Sequence, residues 1–543
     1  MKAMFKPLGL AAAVAAVTAG FAGVASAQEP TARSIGNLGD LAIIPYYSVQ
    51  GDWVTGVHIT NTSDRTQVVK LRLRRASDSA DSMDFNLILS PKDVWTGSVS
   101  DASGNIVMST DDNSCTAPLR PDGQFAMPGI FRAGAEEGYI EVISMGAPDS
   151  ESSAIAIAAK HDSDGVPYNC QEVASNFFAN LKIPGGPNPN AKGVISASVT
   201  HQAVADAEDY PAGTCVADEG STLCVNNYTD GDNALKVSYF LRDASSGTEF
   251  GGNAVHISDF SPDQAWMTNQ EKGLFSGDIT GFDYPDLNGG PFVQTPRGLF
   301  NVLRQGDILG VSTLLNDWSI NPALNVQTDW VVTMPGQYTM IDYYVWAALA
   351  GFDPENCGKL DDPSTAGDNG IALCDYRDIP VSAALTLYDR EEQVIEPEDG
   401  DLVISPAPPG AVNELLFPYE VNVVEWTDGN SEGFLESEYN TSIDASPLGV
   451  YGWASLSVSA TEKDNTGVEA DTNSNGQGIC NLAGPTVVAS PSNAGRPGVC
   501  DPAEGGIPIV GFAAWERSFP ANPDANYGRA IDHSFTPGVT SVD

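Results

Sequence analysis

The sequence predicts an all-β protein made of tandem antiparallel immunoglobulin-like β-sandwiches with few short helices. Three observations support this class. Apolar and charged residues alternate over residues 68–75, and this period of two is typical of a half-buried strand. Short strand candidates are separated by turns rich in Gly, Asp, Asn and Ser. Only residues 154–160 and 172–181 have helical patterns. One large composite sheet fold is the alternative.

A repeated unit supports the tandem arrangement. Residues 57–96 predict strands joined by a polar turn at Asn61 and a hairpin, and the unit closes on SPKDVW at 90–95. A second copy begins at Asn227 and closes on SPDQAW at 261–266. A fainter third echo is ALTLYDR at 384–390, with Ser405 and a proline downstream. We therefore expect the same hairpin unit to recur in each domain.

Three sandwich domains are predicted along the chain. They cover residues 28–206, 222–350 and 374–543, separated by a connector at 207–221 and a linker loop at 351–373. The last domain carries a long polar excursion at 461–501. The strand candidates are 41–49, 53–60, 68–74, 85–89, 94–99, 139–144, 193–203, 308–314, 330–334, 338–346, 384–388, 421–426, 453–460 and 507–515.

The N-terminus predicts export. Lys2 and Lys6 precede an apolar run at 8–24, and Ala-Ser-Ala at 25–27 has the small-x-small pattern of a cleavage site. Residues 1–27 are therefore interpreted as a signal peptide. Downstream no run of roughly 20 apolar residues could span a membrane, so no transmembrane anchor is expected after cleavage. The expected location is the cell surface or the extracellular space, with the periplasm as the alternative.

The charge of the chain excludes one class of partner. It carries 26 basic and 71 acidic residues, for a net charge of −45. Nucleic acid is bound chiefly by Lys and Arg, so no nucleic-acid partner is expected. The acidity favours solubility, and divalent cation binding is the sharper alternative.

An even number of cysteines in an exported chain predicts disulfides. Pairing of nearest neighbours, Cys115 with Cys170 first, is one of many possible connectivities. The eight predicted disulfide cysteines are Cys115, Cys170, Cys215, Cys224, Cys357, Cys374, Cys480 and Cys500.

No coherent catalytic set emerges from the motifs. Ser431 lies in GNSEG at 429–433, which matches the nucleophile-elbow pattern, but the context is β rather than strand-to-helix. His533 could serve as its base, although nothing in the sequence connects the two. The histidines are dispersed without zinc-site spacing: His58, His161, His201, His256 and His533. We predict no catalytic and no cofactor-binding residue.

Calcium is the one cofactor candidate. Asp471, Asn473 and Asn475 followed by Gly476 match the first half of a calcium loop, where alternate side-chain oxygens surround a hard cation. The twelfth position is Leu482 instead of a bidentate Glu. A solvated Asn/Gly loop is therefore the favoured alternative.

Aromatic residues cluster at three places, Tyr46 with Tyr47, residues 343–346, and Trp426. An exposed row of such rings could stack on sugars, whereas aromatic residues within strands more often belong to a core. The sequence favours the core interpretation.

Several strand and turn pieces resemble a known group. They are DWVVTMP at 329–335, LTLYDREE at 385–392, PIVGFAA at 508–514 and NYG at 526–528. With them the chain resembles a group of cell-surface proteins of Gram-negative bacteria that has no assigned activity. The resemblance implies an exported surface protein and no mechanism.

We therefore expect a non-catalytic structural or adhesive protein of the cell surface or extracellular matrix. Its loops would contact surface polymer, matrix or copies of itself, and exposed sheet edges could support strand addition. A secreted carbohydrate-active hydrolase or glycan-binding protein is the alternative.

Overall fold

The computed structural model is a β protein with short helices. It describes residues 31–77, 79, 81–129, 132–175, 228–260, 287, 303, 306, 308–336, 381–388, 394–395, 403–405, 414–429, 431–446, 449–460 and 507–538. The strand candidates at 193–203 and 338–346 lie outside these residues.

The elements fall into two groups along the chain. The first group consists of β1 (Ala32–Arg33), β2 (Leu41–Ser48), β3 (Trp53–Asn61), β4 (Gln67–Arg75), β5 (Asp81–Leu89), β6 (Val94–Asp101), β7 (Ile106–Ser109), β8 (Cys115–Ala117), β9 (Gln124–Ala126), β10 (Glu137–Pro148), α1 (Ala154–Ala159), α2 (Cys170–Ser175), β11 (Tyr228–Thr229), β12 (Leu235–Asp243), β13 (Glu249–Asn253) and β14 (Val255–Ser258). The second group consists of β15 (Gly310–Ser319), β16 (Val326–Thr333), β17 (Val381–Tyr388), β18 (Val394–Ile395), β19 (Val403–Ser405), β20 (Glu414–Phe417), β21 (Val421–Thr427), β22 (Asn440–Asp444), β23 (Tyr451–Ala460), β24 (Ile507–Pro508), β25 (Val510–Arg517), a 3-10 turn (Pro523–Ala525), β26 (Tyr527–Asp532) and β27 (Ser534–Pro537).

The first group forms two facing sheets, called here the first unit. Sheet 1 has the order β1-β14-β2-β10-β4-β5-β8, and β11 also pairs with β10. Sheet 2 has the order β13-β12-β3-β6-β7-β9. The inward side chains of both sheets share one core, as with Leu71 and Phe85 of sheet 1 and Val57 and Val237 of sheet 2.

The second group repeats this arrangement as the second unit. Sheet 3 has the order β18-β17-β23-β15-β24, with β20 pairing to β17 and β27 to β15. Sheet 4 has the order β19-β22-β21-β16-β25-β26. β21 and β22 run parallel, whereas the corresponding β6 and β7 run antiparallel. The remaining described pairings of both units are antiparallel, in agreement with the predicted all-β class.

The two units share the arrangement of their central strands. In each, the first long strand enters one sheet and the second enters the facing sheet: β2 and β3, then β15 and β16. The corner between them is held by the same contact. The Ser48 amide donates to Thr55 Oγ1 at 3.0 Å, and the Ser319 amide donates to Thr328 Oγ1 at 3.0 Å.

The strand pairing divides the chain differently from the three predicted domains. β12 pairs with β3 along its whole length, from Leu235 opposite Asn61 to Asp243 opposite Trp53. Residues 228–258 therefore complete the sheets of residues 31–148, across the predicted connector at 207–221. β15 pairs with β23 in the same way, across the predicted linker at 351–373. The pairing groups these strands into two units because sheet partners come from distant parts of the chain.

Sheet 4 joins the two units. Val331, Val423 and Phe512 on one face belong to the core shared with the first unit, while Trp330 and Trp426 on the other face belong to the core shared with sheet 3. Both faces are apolar, which is typical of a sheet covered on both sides. The two units therefore pack as one body over residues 31–538.

The predicted short helices are present at α1 and α2. Neither they nor any other helix in the described part of the chain is long and apolar enough to cross a membrane.

Candidate functional site: a disulfide-linked knob

Residues 149–175 form a small projection after the end of β10, which we call the knob. It consists of α1, an intervening loop and α2. Ser153 caps α1, because its hydroxyl accepts a hydrogen bond from the Ala156 amide at 3.4 Å. The loop returns on itself, and His161 forms an isolated antiparallel bridge with Pro167.

A disulfide fastens the knob to the edge of sheet 1. Cys170 at the start of α2 is bonded to Cys115 at the start of β8, with the Cα atoms 5.0 Å apart. This confirms the predicted disulfide between these two residues. The bond closes a loop with a sequence separation of 55 residues, so the chain-entropy model gives it about 4 kcal/mol. The other six predicted cysteines lie outside the described residues.

Polar contacts hold the knob at two further places. Glu151 accepts from the Thr66 amide at 2.6 Å and from the Thr66 hydroxyl at 3.0 Å. On the other side, His161 Nδ1 lies 3.2 Å from Ser90 Oγ and 3.6 Å from Asp93 Oδ2. The knob is thus held by a covalent bond and by side chains of the turns before β4 and before β6.

The Asp93 carboxylate closes the turn on which the knob rests. It accepts from the Ser90 amide at 3.1 Å and from the Ser114 hydroxyl at 3.3 Å. Burial raises the pKa of Asp93, and the neighbouring His161 opposes that rise. This turn is the SPKD sequence recognised as a repeat anchor, so the sequence marked the position without revealing its contact with the knob.

Ser90, Asp93 and His161 contain the residue types of a nucleophilic triad in a different arrangement. In a triad the carboxylate meets Nδ1 and the serine meets Nε2. Here Ser90 and Asp93 both lie on the Nδ1 side, and the Ser90 hydroxyl itself donates to Asp93 at 3.3 Å. The arrangement orients the knob and differs from the geometry of a triad.

Large apolar side chains are exposed around the knob. Ile157 is 51% exposed, Val166 49% and Tyr168 62%, and Val94, next to Asp93, is 47% exposed. We call these four side chains the apolar patch. They are half of the exposed large hydrophobic residues among the described positions. Exposed apolar side chains gathered on one small segment and the turn beside it are a feature of interaction sites.

The residues that suggested a nucleophile elbow are kept apart by their contacts. The Ser431 amide donates to Asp428 Oδ1 at 2.9 Å within a turn. His533 uses both ring nitrogens elsewhere, with Nε2 2.9 Å from the Val331 carbonyl and Nδ1 2.9 Å from Asn316 Nδ2. Since both nitrogens are occupied, His533 is not positioned as a base for Ser431.

Two histidines are buried and neutral. The Val237 amide donates to Nε2 of His256, whose Nδ1 lies 2.8 Å from the Ala254 carbonyl. Burial lowers the pKa of His256 to about 4, and likewise that of His533. Both rings therefore act as fixed hydrogen-bonding groups of the two units. His58 packs edge-on against Phe240, and His201 falls outside the described part of the chain.

The calcium candidate Asp471, Asn473 and Asn475 also falls outside the described part. Within the described ranges, no group of three or more His, Cys, Asp or Glu side chains could hold a metal ion. The acidic loop at 162–166 is a turn, in which Asp162 Oδ1 accepts from the amides of Asp164 at 2.8 Å and Val166 at 3.1 Å.

Buried carboxylates line the seam between the units, and sequence reasoning missed them. Asp329 accepts from the Leu435 amide at 2.9 Å, and Glu137 accepts from the Glu438 amide at 2.8 Å. Burial raises the pKa of Asp329 well above its usual range, with Glu425 on the adjacent strand contributing. The segment after Ser431 thus fills the seam. Alternating strand patterns do not reveal this because the partners are distant in sequence, and Glu137 and Glu438 come from different units.

The aromatic residues singled out in strands are buried. Tyr46 and Tyr47 are 0% exposed, and Trp426 stacks on Trp318 with ring centroids 5.2 Å apart. Tyr46, Tyr47 and Trp426 therefore belong to the core, as the sequence favoured. Residues 343–346 lie outside the described ranges.

Over the described residues, the fold is all-β, with two similar two-sheet units and the knob fastened to sheet 1 by a disulfide. Comparisons with protein-family models, curated proteins and solved structures found no match for the chain.

Proposed function

We propose that this is an exported, non-catalytic protein of the cell surface or extracellular matrix, built from two immunoglobulin-like sandwiches, which makes adhesive contacts through the knob. The observation that carries the proposal is the apolar patch on a disulfide-fastened projection. Export is supported by the signal-peptide pattern and by a disulfide, which persists in oxidising compartments.

The physical basis is burial of the patch against a partner. Apolar surface removed from water contributes about 25 cal/mol per Å², and tyrosine is a frequent anchor of interfaces. A rigid presentation limits the entropy lost on binding. The disulfide and the contacts of Glu151 and His161 supply that rigidity before a partner arrives.

Location is the first test. Intact cells are treated with protease, and medium, periplasmic and outer-membrane fractions are blotted for the protein. Protease-sensitive protein held on intact cells or in matrix supports the proposal. Protein found only inside the cell or only in the periplasm would refute it.

Attachment is the second test, with matched variants. Replacing Ile157, Val166 and Tyr168 together by Ser should reduce adhesion of cells that carry the protein by about tenfold, as expected for loss of an interface centre. The control replaces three other exposed apolar residues, Leu324, Val450 and Tyr527, by Ser. They are 49%, 41% and 48% exposed and belong to the second unit. Equal adhesion of both variants would argue against the knob.

A further inference from the structure

The outer face of sheet 3 is rich in hydroxyl side chains. Across β17, β23 and β15, Tyr388, Trp453 and Asp317 form one row by register. The next row is Thr386, Ser455, Leu315 and Ser534, and the one after it is Ala384, Ser457, Thr313 and Thr536. The alternate residues, such as Leu385 and Leu456, point into the core.

This face is open and nearly uncharged. Ser457, Ser534 and Thr536 are exposed, and Thr313, Thr386 and Ser455 are half-buried. Asp317 is the single charged residue among those named in the three rows, and Glu414 of β20 lies opposite Ala384 beside the third row. On a chain with a net charge of −45, this face thus carries six Ser and Thr side chains and few charges.

An aromatic pair stands at one end of the face. The rings of Tyr388 and Trp453 are stacked, with centroids 3.8 Å apart and an interplanar angle of 5°. Both side chains are half-buried. Trp453 lies on the strand between β17 and β15, so the indole face turned away from Tyr388 is on the side of Asp317. Stacking on Tyr388 fixes the indole in place.

These groups match the recognition of sugars. A pyranose ring packs its C–H face on an indole, while carboxylate and hydroxyl side chains exchange hydrogen bonds with its hydroxyl groups. Within a row, side chains on neighbouring strands are about 4.8 Å apart, similar to the length of one sugar residue, and successive rows are roughly 6.7 Å apart along the strands. Acidic polymers are repelled by the overall charge, which favours a neutral polymer.

We propose that the outer face of sheet 3 binds a neutral polysaccharide, with Trp453 as the stacking residue and Asp317 as a hydrogen-bond acceptor. The site is separate from the knob and lies on the second unit. The proposal stands on this face alone, so it can fail while the adhesive role of the knob holds.

The test is affinity electrophoresis of the mature protein in native gels containing a soluble linear β-glucan, a dextran or a mannan, with alginate as the acidic comparison. At least one neutral polymer should retard the protein, and alginate should not. Trp453→Ala should weaken retardation about tenfold, the loss expected for one stacking ring. The matched control, Tyr527→Ala, removes an aromatic residue that is 48% exposed on the edge of sheet 4 and should bind normally.

A second variant distinguishes loss of binding from loss of folding. Ser455→Glu adds a charge to the centre of the face without removing a ring, and it should also abolish retardation while its thermal melting stays like that of the parent. The triple Ser variant of the knob should be retarded normally. The proposal is overturned if none of the three neutral polymers retards the protein, or if Trp453→Ala and Ser455→Glu migrate like the parent.

Discussion

The outer faces of sheet 1 and sheet 3 occupy equivalent places in the two units and have opposite chemistry. On sheet 1, Lys70, Arg72 and Arg74 of β4 are buried and are paired with carboxylates. On sheet 3, the corresponding strand β17 carries Ala384, Thr386 and Tyr388 on an open face. One topology therefore supports either a covered, ionic face or an exposed, hydroxyl-bearing one.

The difference follows from what water can reach. A buried charge must find a partner, because removal from water costs several kcal/mol per ion. Arg74 meets this requirement with two bonds to Glu141, at 3.1 and 3.3 Å, and a third to the Ser79 carbonyl. Side chains on an open face keep their hydration and are available to a ligand. The outer face of sheet 1 thus contributes to the stability of the first unit, whereas the outer face of sheet 3 is accessible to a ligand.

Breaking the ionic face should give the largest effect. Glu141→Ala removes a carboxylate that accepts two hydrogen bonds from the buried Arg74 guanidinium, so the free energy of unfolding should fall by about 3–5 kcal/mol. Chemical denaturation of the mature protein measures this. The control is Thr386→Ala on sheet 3, which should change stability by less than about 0.5 kcal/mol. Similar losses in both variants would contradict the distinction between the faces.

Removal of the disulfide, which lies in the first unit, should have the next largest effect on stability. Replacing Cys115 and Cys170 together by Ser should lower stability by about 2–4 kcal/mol, because the unfolded chain regains the entropy of the open loop. Differential scanning calorimetry of the parent and the variant gives the difference. An unchanged melting temperature would show that the contacts of Glu151 and His161 hold the knob unaided.

Acidification tests a feature that both units share. His256 and His533 have pKa values of about 4 in the folded protein and about 6.5 unfolded, so the unfolded chain binds protons first as the pH falls. Their stabilising effect is complete above pH 6.5 and is lost between about pH 6.5 and 4, on the order of 3 kcal/mol for each.

The histidine contribution is measured as a difference, because buried carboxylates act in the opposite direction. Burial raises the pKa values of Asp329, Glu425 and Glu516, so these groups add stability on acidification. His533→Gln should therefore show a smaller loss of stability than the parent between pH 6.5 and 4. The control His58→Gln, at an exposed position, should keep the parental slope. A slope unchanged by His533→Gln would refute the assignment of a buried neutral ring.

The smallest effects should come from the matched corners. Thr55→Val and Thr328→Val each leave a buried amide, of Ser48 or Ser319, without its acceptor. Each should cost about 1–2 kcal/mol in the free energy of unfolding. Nearly equal losses would support the equivalence of the two units, whereas a loss in one variant only would weaken it. Urea unfolding of the two variants side by side gives the comparison.

The repeats recognised in the sequence show where pattern reasoning stops. The second copy of the repeat, which begins at Asn227, contains β12, and β12 pairs with β3 in sheet 2. The alternating strand of the first copy, residues 68–75, is instead β4 of sheet 1. The fainter third echo falls on β17, which takes the place of β4 in sheet 3. Alternation identifies a half-buried strand but carries no information on which sheet the strand joins. The third, weaker copy is therefore the structural equivalent of β4, and the stronger second copy is not.

The sequence by itself determined the all-β class, most of the strand positions, the two short helices and the residues of one disulfide. These features depend on local alternation, turn chemistry and cysteine spacing, all of which act over a few tens of residues. Tertiary structure decided the division into two units, the seat of the knob on Asp93 and the seam around Asp329. It also decided which outer face is covered and which is open. Those features arise from contacts between residues far apart in the chain, where burial, and not the local pattern, selects the partner.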